Sequence, residues 1–342
     1  MNADEKIAVA HLNVAFRKGA GYVPVVHDIN FTIGAGETLA LVGESGSGKS
    51  VTSLAIMKLL AEAPKTRING SAIVADRHGA PIDLVAMGEQ QMRHVRGNRV
   101  AMIFQEPLTS LNPVHRVGDQ IAEAIRFHQS LSKADARARA LALLEQVGIP
   151  EPVKRLDCYP HELSGGMRQR VMIAIALAME PDVLIADEPT TALDVTVQAQ
   201  ILDLLRNLQK KNGMAILFIT HNFGVVAEIA DRVMVMYAGR IVEQGSVSQV
   251  LSSPRMPYTC GLLAAVPRFE HAGLAQGELG TIAGFVPDPS TPPNGCAFHP
   301  RCGYSIAGRC DQQAPVLEEI EMGHQLRCVR WRELAIEQEG AR

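Results

Sequence analysis

The stretch GESGSGKS, residues 43–50, decides the fold of this chain. It matches the pattern G-x-x-x-x-G-K-[ST] at every fixed position. An apolar strand pattern, ETLALV (37–42), comes directly before it, and apolar residues follow with helical spacing from Lys49 to Ala61. Strand, glycine-rich loop and helix in this order form a phosphate-binding loop. The stretch therefore predicts a bound nucleoside triphosphate, and a chance glycine-rich turn is the weaker alternative.

Each part of this loop has a predicted contact with the nucleotide. Successive backbone N–H groups and the positive end of the following helix suit the β-phosphate. Lys49 is expected to reach the β- and γ-phosphate oxygens, and the hydroxyl of Ser50 is expected to bind Mg²⁺. We predict that ATP contacts Gly43, Glu44, Ser45, Gly46, Ser47, Gly48, Lys49, Ser50 and Val51.

The charge balance argues against nucleic acid as a partner. The 342 residues contain 33 Lys and Arg against 36 Asp and Glu, which gives a net charge of -3. Proteins that bind nucleic acid need an excess of basic side chains. The N-terminus has no apolar signal segment, and the longest apolar run, VMIAIALAM (171–179), is about half as long as a membrane span. We expect a cytosolic chain that reaches a membrane only through a partner.

Further apolar runs predict an α/β fold with a mostly buried sheet. They are RVAMIF (99–104), VLIA (183–186), AILFIT (215–220) and VMVMY (233–237). Between Gln105 and Ser164 the pattern becomes helical, which predicts a helical subdomain, about 106–180, inserted in the α/β core. Proline-punctuated segments follow residue 253. We expect an ATPase domain, 1–253, and an irregular C-terminal extension, 254–342, that contains cysteines.

The run VLIADE (183–188) ends in an acidic pair that suits catalysis at a triphosphate. Asp187 is expected in the Mg²⁺ shell, and Glu188 is placed to polarise a water for in-line attack on the γ-phosphate. An acidic pair at a strand end could instead cap the next helix. Together with the phosphate loop, that alternative becomes the weaker one.

Three side chains are candidates because of where they stand. Gln105 follows a strand at the start of the helical insertion, so its amide could contact Mg²⁺ or the attacking water. His221 stands at the carboxyl end of another predicted strand, where α/β sheets collect their ligands. Phe16 ends an alternating strand and could stack on the nucleobase. A structural histidine and an ordinary core aromatic remain open alternatives for His221 and Phe16.

A second glycine-rich helix start, LSGG (163–166), stands more than a hundred residues after the first. The residues Ser164, Gly165 and Gly166 would expose backbone N–H groups suited to a γ-phosphate. Such a site is redundant within one chain. If two chains pair head to tail, each covers the triphosphate of the other and hydrolysis releases the pair. Asp194, in ALDV (192–195), is then expected at the same seam.

At these residues the sequence resembles the ATPase subunits of ABC transporters. The motifs GESGSGKS, LSGG, VLIADE and ALD, with Gln105 and His221, occur in the family's order and approximate spacing. The resemblance implies a P-loop NTPase fold with a RecA-like core, a β-rich N-terminal part and a helical ABC subdomain. Met167 and Asn222 stand where many members have Gln and Asp, and neither change removes an essential group.

The same resemblance implies a role for each candidate residue. Phe16 would stack on adenine, and Asp194 would belong to the loop that joins the two sites. The resemblance implies catalytic roles for Glu188, His221 and Gln105, Mg²⁺ binding by Ser50, Gln105 and Asp187, and contact of Ser164, Gly165 and Gly166 with ATP.

Longer segments, among them SGGMRQRVMIAIAL and NGCAFHPRC, resemble the oligopeptide/dipeptide branch of bacterial ABC importers, and nearly the whole chain is covered. That branch implies import of peptides, nickel or another small solute, powered by ATP. The implied partners are a homologous ATPase chain or a second copy, two transmembrane permease subunits and an extracytoplasmic substrate-binding protein. The implied location is peripheral, on the cytoplasmic face of the inner membrane.

Four cysteines crowd into the last fifth of the chain with the spacing C-x₅-C-x₇-C-x₁₇-C; they are Cys296, Cys302, Cys310 and Cys328. Four thiolates can close a tetrahedral Zn²⁺ site or bind a cubane cluster, and the spacing alone does not choose. Similar tails in the importer branch are associated with a [4Fe–4S] cluster, so the resemblance favours iron–sulfur over zinc. Free cysteines are the remaining alternative.

A DNA-repair or chromosome-type ABC ATPase is the alternative function. Such proteins need a long coiled coil or large DNA-binding insertions between the two glycine motifs, and only about a hundred residues of mixed helix stand there. An ABC protein of the translation type normally has two ATPase domains in one chain, whereas this chain has one copy of each motif. A regulatory nucleotide-binding module without turnover is the non-enzymatic alternative.

Overall fold

The computed structural model describes residues 4–61, 63–76, 78–106, 110–191, 193–265 and 281–334. The strands are β1 (Glu5–Lys18), β2 (Gly21–Gly34), β3 (Thr38–Val42), β4 (Thr66–Ala75), β5 (Pro81–Asp83), β6 (Val100–Ile103), β7 (Val183–Asp187), β8 (Ala215–Thr220), β9 (Arg232–Tyr237), β10 (Arg240–Ser246), β11 (Glu318–Glu321) and β12 (His324–Leu326). The helices are α1 (Lys49–Ile56), α2 (Glu89–Val95), α3 (Val117–His128), α4 (Lys133–Gln146), α5 (Pro152–Arg155), α6 (Gly165–Ala176), α7 (Val195–Asn212), α8 (Phe223–Ile229), α9 (Val247–Ser252) and α10 (Pro257–Ala264).

An antiparallel sheet of order β2-β1-β4-β5 forms the β-rich N-terminal part. Strand β1 buries Ile7 and Val9 and then, after a shift of register, Leu12 and Val14. The shift coincides with His11, whose φ is 50°. An extra residue in one strand inverts the alternation of faces, so the bulge keeps both apolar pairs on the core side.

The larger sheet has the order β11-β12-β10-β9-β3-β8-β7-β6, and its strands from β9 to β6 are parallel. Every residue of β3, β6, β7 and β8 is buried, as expected of parallel strands covered on both faces. Parallel strands end at the same edge of a sheet. The loop 43–48, Gln105, the pair Asp187 and Glu188, and His221 all follow these strands and therefore gather at that edge.

The helical insertion lies between β6 and β7 and comprises α3 to α6. Its core joins that of the α/β domain, because Ile121, Leu144 and Ile173 belong to the same buried cluster as Phe218 of β8. Helix α1 ends at Ile56 rather than at the predicted Ala61. There the N–H of Leu59 bonds to the carbonyl of Leu54 and Lys58 has a φ of 52°, a closing turn that apolar spacing does not reveal.

The described part of the C-terminal extension is more regular than predicted. Helix α10 packs its Tyr258 against Tyr237 and Phe298, with ring centroids 4.6 to 5.3 Å apart. Strand β12 pairs with β10 and so adds a further strand to the main sheet. Strands of three and four residues are too short to give a readable alternation, which is why the sequence suggested irregular chain here. The boundary at residue 253 stays a prediction, and residues 266–280 and 335–342 lie outside the described residues.

Candidate nucleotide site

The phosphate loop needs glycine for reasons of space and backbone conformation. Gly43 has a φ of 155°, and a Cβ there would lie 2.2 Å from the carbonyl oxygen of Met236. Gly48 has a φ of 107°, and its Cβ would lie 2.9 Å from the side chain of the same methionine. The loop is thus pressed against β9, with its backbone held in a conformation that other residues rarely adopt.

The interior of the loop suits an anion. The ammonium group of Lys49 lies inside it and donates to the carbonyl oxygens of Gly43 and Glu44, at 2.8 and 3.0 Å. Burial lowers the pKa of Lys49, although the carboxylates of Glu188 and Asp187 oppose that shift. The hydroxyl of Ser47 is fully buried and has no hydrogen-bond partner among the described residues. Phosphate oxygens would give the ammonium group of Lys49 charged acceptors in place of these carbonyl oxygens.

The residues predicted to bind Mg²⁺ lie together at the end of β7. The hydroxyl of Ser50 lies 3.2 Å from Oδ1 of Asp187, and that of Ser53 lies 3.5 Å from Oδ2. Burial raises the pKa of Asp187, and the hydrogen bond from Ser50 partly offsets the rise. A hydroxyl and a carboxylate are hard oxygen donors of the kind that Mg²⁺ prefers, so the pair fits this ion.

Glu188 is the centre of the site. The amide of Gln105 donates to its Oε2 over 3.0 Å, and Nδ1 of His221 lies 3.2 Å from its Oε1. Thr191, which the sequence reasoning did not single out, donates its hydroxyl to Oε2 over 2.9 Å. Thr191 stands three residues after the acidic pair, a position that no sequence pattern marks. The structure thus brings all three predicted catalytic residues into contact.

These groups face an open cavity of about 930 Å³. On one side it is lined by the loop, Gly43 to Gly46, and on the other by Gln105, Glu188, Thr191 and His221. Residues 284–289 of the C-terminal extension form a further wall. No pattern in the sequence predicts that wall, because contacts between distant segments follow from the tertiary fold.

Other predicted residues are not brought to this cavity. Ser164 begins α6, where its hydroxyl accepts from the N–H of Met167, and Asp194 begins α7 in the same manner with Val197. A Cβ on Gly166 would lie 2.8 Å from Val197, so these two helix starts pack on each other. Ser164, Gly165, Gly166 and Asp194 are all described, and none of them lines the cavity. Residue 192 of the ALDV motif lies outside the described residues.

Phe16 is half-buried in β1, where it packs against the apolar cluster of the N-terminal sheet. Among the described residues that line the cavity, Phe16 does not occur. The geometry therefore supplies a core contact for this ring, and its contact with adenine stays a prediction.

The extension is joined to the phosphate loop by an ion pair. The guanidinium of Arg301 donates to both carboxylate oxygens of Glu44, at 2.7 and 2.9 Å, and the arginine side chain is only 6% exposed. The hydroxyl of Tyr258 also accepts from the N–H of Glu44, at 3.0 Å. Two-point contacts between arginine and a carboxylate fix orientation as well as distance. Sequence spacing cannot reveal a pair whose members are 257 residues apart.

The four cysteines of the extension are free thiols that line one small cavity of about 20 Å³. That space admits about one water molecule. Burial raises the pKa of Cys296, of Cys302 and of Cys328, the last to about 11. Within the described residues, no group of three or more His, Cys, Asp or Glu side chains is arranged to hold a metal ion. The thiols supply the predicted donor set, but Cys296, Cys302 and Cys328 pack against an apolar cluster and Cys310 is buried, without the arrangement of a closed metal site.

Comparison with known proteins identifies the family to which this chain belongs. Residues 26–191 match the family described as ABC transporter, and residues 242–310 match the family described as oligopeptide/dipeptide transporter, C-terminal region. A putative peptide import ATP-binding protein of Brucella melitensis is 52% identical over 98% of this chain and 100% of its own length. The chain belongs to the ATP-binding proteins of ABC transporters.

Other relatives of this ABC ATPase agree. The oligopeptide transport ATP-binding protein OppD of Bacillus subtilis is 51% identical over 91% of this chain and 85% of that protein. An ATP-binding cassette solved as a dimer with ADP and phosphate has a TM-score of 0.61 at 25% identity, over 70% of this chain and 98% of its own. Family membership confirms the P-loop fold and the ATPase activity that the motifs predicted. None of the helices described for this ABC ATPase combines the length and the apolar composition of a membrane-spanning segment.

Proposed function

We propose that this chain hydrolyses ATP to power import of peptides, or of a related small solute, through a membrane ABC transporter. The names of its relatives and the match of residues 242–310 support the peptide class. The observation that carries the catalytic part is the convergence of Gln105, His221 and Thr191 on Glu188 beside the phosphate loop. Phosphate release by the purified chain, alone and with its membrane subunits, tests the proposal. A folded chain without turnover in either setting would contradict it.

In the proposed mechanism the protein positions charges and one water molecule. The loop N–H groups and Lys49 hold the β- and γ-phosphates, and Glu188 takes a proton from the attacking water. His221 and Gln105 orient that water and the γ-phosphate, while Thr191 holds the Glu188 carboxylate in place. Ser50 and Asp187, with help from Gln105, would hold Mg²⁺, which would supply positive charge to the phosphate oxygens.

The site is proposed to be completed by a second ATPase chain, homologous or identical, in a head-to-tail dimer. The support is that Ser164, Gly165 and Gly166 do not line the cavity of their own chain, while their helix start suits a γ-phosphate. The relative solved with ADP and phosphate is a dimer. Asp194 would lie at the seam, since α7 begins beside α6.

Disulfide crosslinking tests this dimer. Ser45 is exposed on the loop, and Gly165 has room for a side chain. We expect crosslinked dimers of Ser45→Cys with Gly165→Cys in the Glu188→Gln background under saturating ATP, and none with ADP. Each single cysteine variant is the control for the native thiols. Absence of the ATP-dependent crosslink would contradict the head-to-tail arrangement.

The proposed partners outside the ATPase pair are two transmembrane permease subunits and an extracytoplasmic substrate-binding protein. The chain would then lie peripherally on the cytoplasmic face of the membrane. Peptide uptake by proteoliposomes that contain all subunits tests the assembly, with ATP enclosed on the side of the ATPase. Uptake that continues with Glu188→Gln would contradict the coupling.

The alternative function, that of a DNA-repair or chromosome-type ABC ATPase, can be tested directly. Duplex DNA in a filter-binding assay at low salt should not be retained, because the net charge of -3 gives little attraction to phosphates. Retention that weakens steeply with salt would favour the DNA-repair or chromosome class.

For Cys296, Cys302, Cys310 and Cys328 we propose a [4Fe–4S] cluster, with Zn²⁺ as the alternative. The convergence of four free thiols on one cavity supports a four-sulfur site, and the thiols would have to move apart to admit it. Anaerobically purified protein should contain about four iron and four sulfide per chain. Cys310→Ser should lose them and Cys158→Ser should not. Stoichiometric zinc without charge-transfer absorbance would reverse the choice.

A further inference from the structure

A second cavity, of about 390 Å³, lies beside the first. One side is formed by the ATPase domain, with Val25 and His27 of β2, Gly46 and Gly48 of the phosphate loop, and Val51 of α1. The opposite side is formed by the C-terminal extension, chiefly by residues 286–289 and 292–295. We call the segment 286–295 the proline wall. The cavity thus exists only where the two parts of the chain meet.

The two cavities are continuous along the phosphate loop. Gly46 lines both of them, and so do residues 286–289 of the proline wall. A molecule whose phosphates occupy the loop beside Lys49 and Glu188 can therefore extend past Gly46 into the second cavity. The part of ATP that remains outside the loop is its nucleoside.

The second cavity has the size and the lining for a nucleoside. Its volume falls within the range of about 300–1,000 Å³ found for small-molecule pockets. Pro287, Pro289, Pro292 and Pro293 offer flat apolar surface opposite the side chains of Val25 and Val51. Asp288 and Asn294 supply hydrogen-bonding groups on the same wall, as hydroxyl and base atoms require.

One side chain fixes the extension against the loop. Arg301 bonds to Glu44 of the loop and also donates to the carbonyl oxygens of Ala283 and Ile282, at 2.9 and 3.2 Å. The residues that lead into the proline wall are thereby tied to the loop through a single guanidinium. An exposed contact lies within the wall itself, where Lys18 donates to Ser290 over 3.0 Å.

We propose that the C-terminal extension is part of the ATP site: the proline wall forms one side of the nucleoside pocket, and the Arg301–Glu44 pair holds the wall in position. This inference rests on the proposed function, since it names further contacts of the same nucleotide. It gives the extension a task in ATP affinity that is separate from any metal its cysteines bind.

Filling the pocket tests the inference. Ala314 is exposed at the rim of the second cavity, so Ala314→Trp should block the nucleoside without disturbing the core. By calorimetry, Ala314→Trp should weaken ATP binding about tenfold or more, whereas inorganic tripolyphosphate should bind as to the wild type. Gln313→Trp is the matched control, because Gln313 is exposed beside Ala314 and does not line the cavity.

Loosening the wall is the second test. Arg301→Met should weaken ATP binding about tenfold and tripolyphosphate binding much less. Arg309→Met is the control, since Arg309 pairs with Glu333 at the surface of the extension. Unchanged ATP affinity in folded Ala314→Trp and Arg301→Met would overturn the inference and leave the proposed function intact. Failure of wild-type protein to bind ATP would instead refute the proposed function.

Discussion

The amide of Gln105 donates to the carboxylate of Glu188 across 3.0 Å, although the two residues are 83 positions apart. Strands β6 and β7 are neighbours in the sheet and run parallel, so the residues that follow them meet at one edge. The helical insertion lies between the same two strands in sequence. A movement of that insertion can therefore reach the catalytic carboxylate through Gln105.

Glu188→Gln should abolish most ATP turnover while ATP binding persists. The amide cannot take a proton from water, and a general base contributes about 100-fold or more to rate. Phosphate release and nucleotide affinity measure the two effects separately. Glu145→Gln, on the exposed face of α4, is the control and should turn over normally. Turnover in Glu188→Gln within a few-fold of wild type would remove Glu188 from the role of base.

Thr191→Val should lower kcat several-fold with little change in KM. The hydroxyl bonds to the base rather than to the nucleotide, so its loss misplaces Glu188 without removing a binding contact. Thr191→Ser keeps the hydroxyl and should restore most of kcat. A rise in KM at constant kcat would instead assign Thr191 to substrate binding.

Asp187→Asn should remove the effect of Mg²⁺ on ATP affinity. Without the carboxylate charge, the ion loses its anchor beside Ser50, so added Mg²⁺ should strengthen binding in the wild type only. Titration with ATP in EDTA and in excess Mg²⁺ measures the difference, for which we expect about tenfold. Asp203→Asn, on the exposed face of α7, is the control. An Mg²⁺ effect that survives in Asp187→Asn would contradict the assignment.

The stability of the chain should fall as pH drops from 6.5 to 4, in part because of His27. Burial, with the nearby charge of Arg240, lowers the pKa of His27 from 6.5 to about 4. Across that window the unfolded chain binds the proton more readily than the folded chain, so the free energy of unfolding decreases as pH decreases. Urea unfolding at pH 7 and pH 5 should show a smaller loss for His27→Gln. Exposed His115→Gln should behave as wild type, and equal pH dependence in all three proteins would refute this cause.

His324→Ala should lower the free energy of unfolding by about 2–3 kcal/mol. Its Nε2 lies 2.9 Å from Oε1 of Glu243, and both side chains are fully buried. The change removes the one side-chain partner of this carboxyl group and leaves it only the backbone N–H groups of Arg255 and Met256. Gln325→Ala, in the same strand, removes a hydrogen bond of a half-buried side chain and should cost about 1 kcal/mol or less. Urea unfolding of both variants gives the comparison. Equal losses of unfolding free energy in the two variants would show that the pairing of β12 with β10, and not the buried pair of His324 and Glu243, stabilises this region.

The sequence predicted those features that local pattern controls. The run GESGSGKS placed the loop, and apolar strands ending in Asp187, Glu188 and His221 placed the catalytic groups at one edge. Because parallel strands end at the same edge of the sheet, the strand order brings these groups together. Thr191 escaped notice because one hydroxyl near a motif has no pattern of its own.

What the sequence could not predict depends on contacts between distant segments. The pair of Arg301 and Glu44 joins segments that are 257 residues apart, and no local pattern marks either residue as a partner. The same holds for the proline wall, whose prolines read as loop punctuation. The bulge at His11 and the early end of α1 each depend on the backbone conformation of a single residue. The spacing of apolar residues along a segment does not reveal such a local conformation.

The pairing of β12 with β10 has a consequence for the solubility of the protein. Without β12, strand β10 would present unpaired N–H and C=O groups around Glu243 and Gln244 at the edge of the sheet, a template for pairing with another molecule. The short strands β11 and β12, with Glu318, Glu319 and Glu321 on the outermost of them, close that edge with negative charge. We therefore expect a chain cut after residue 253 to expose this edge and to aggregate more readily.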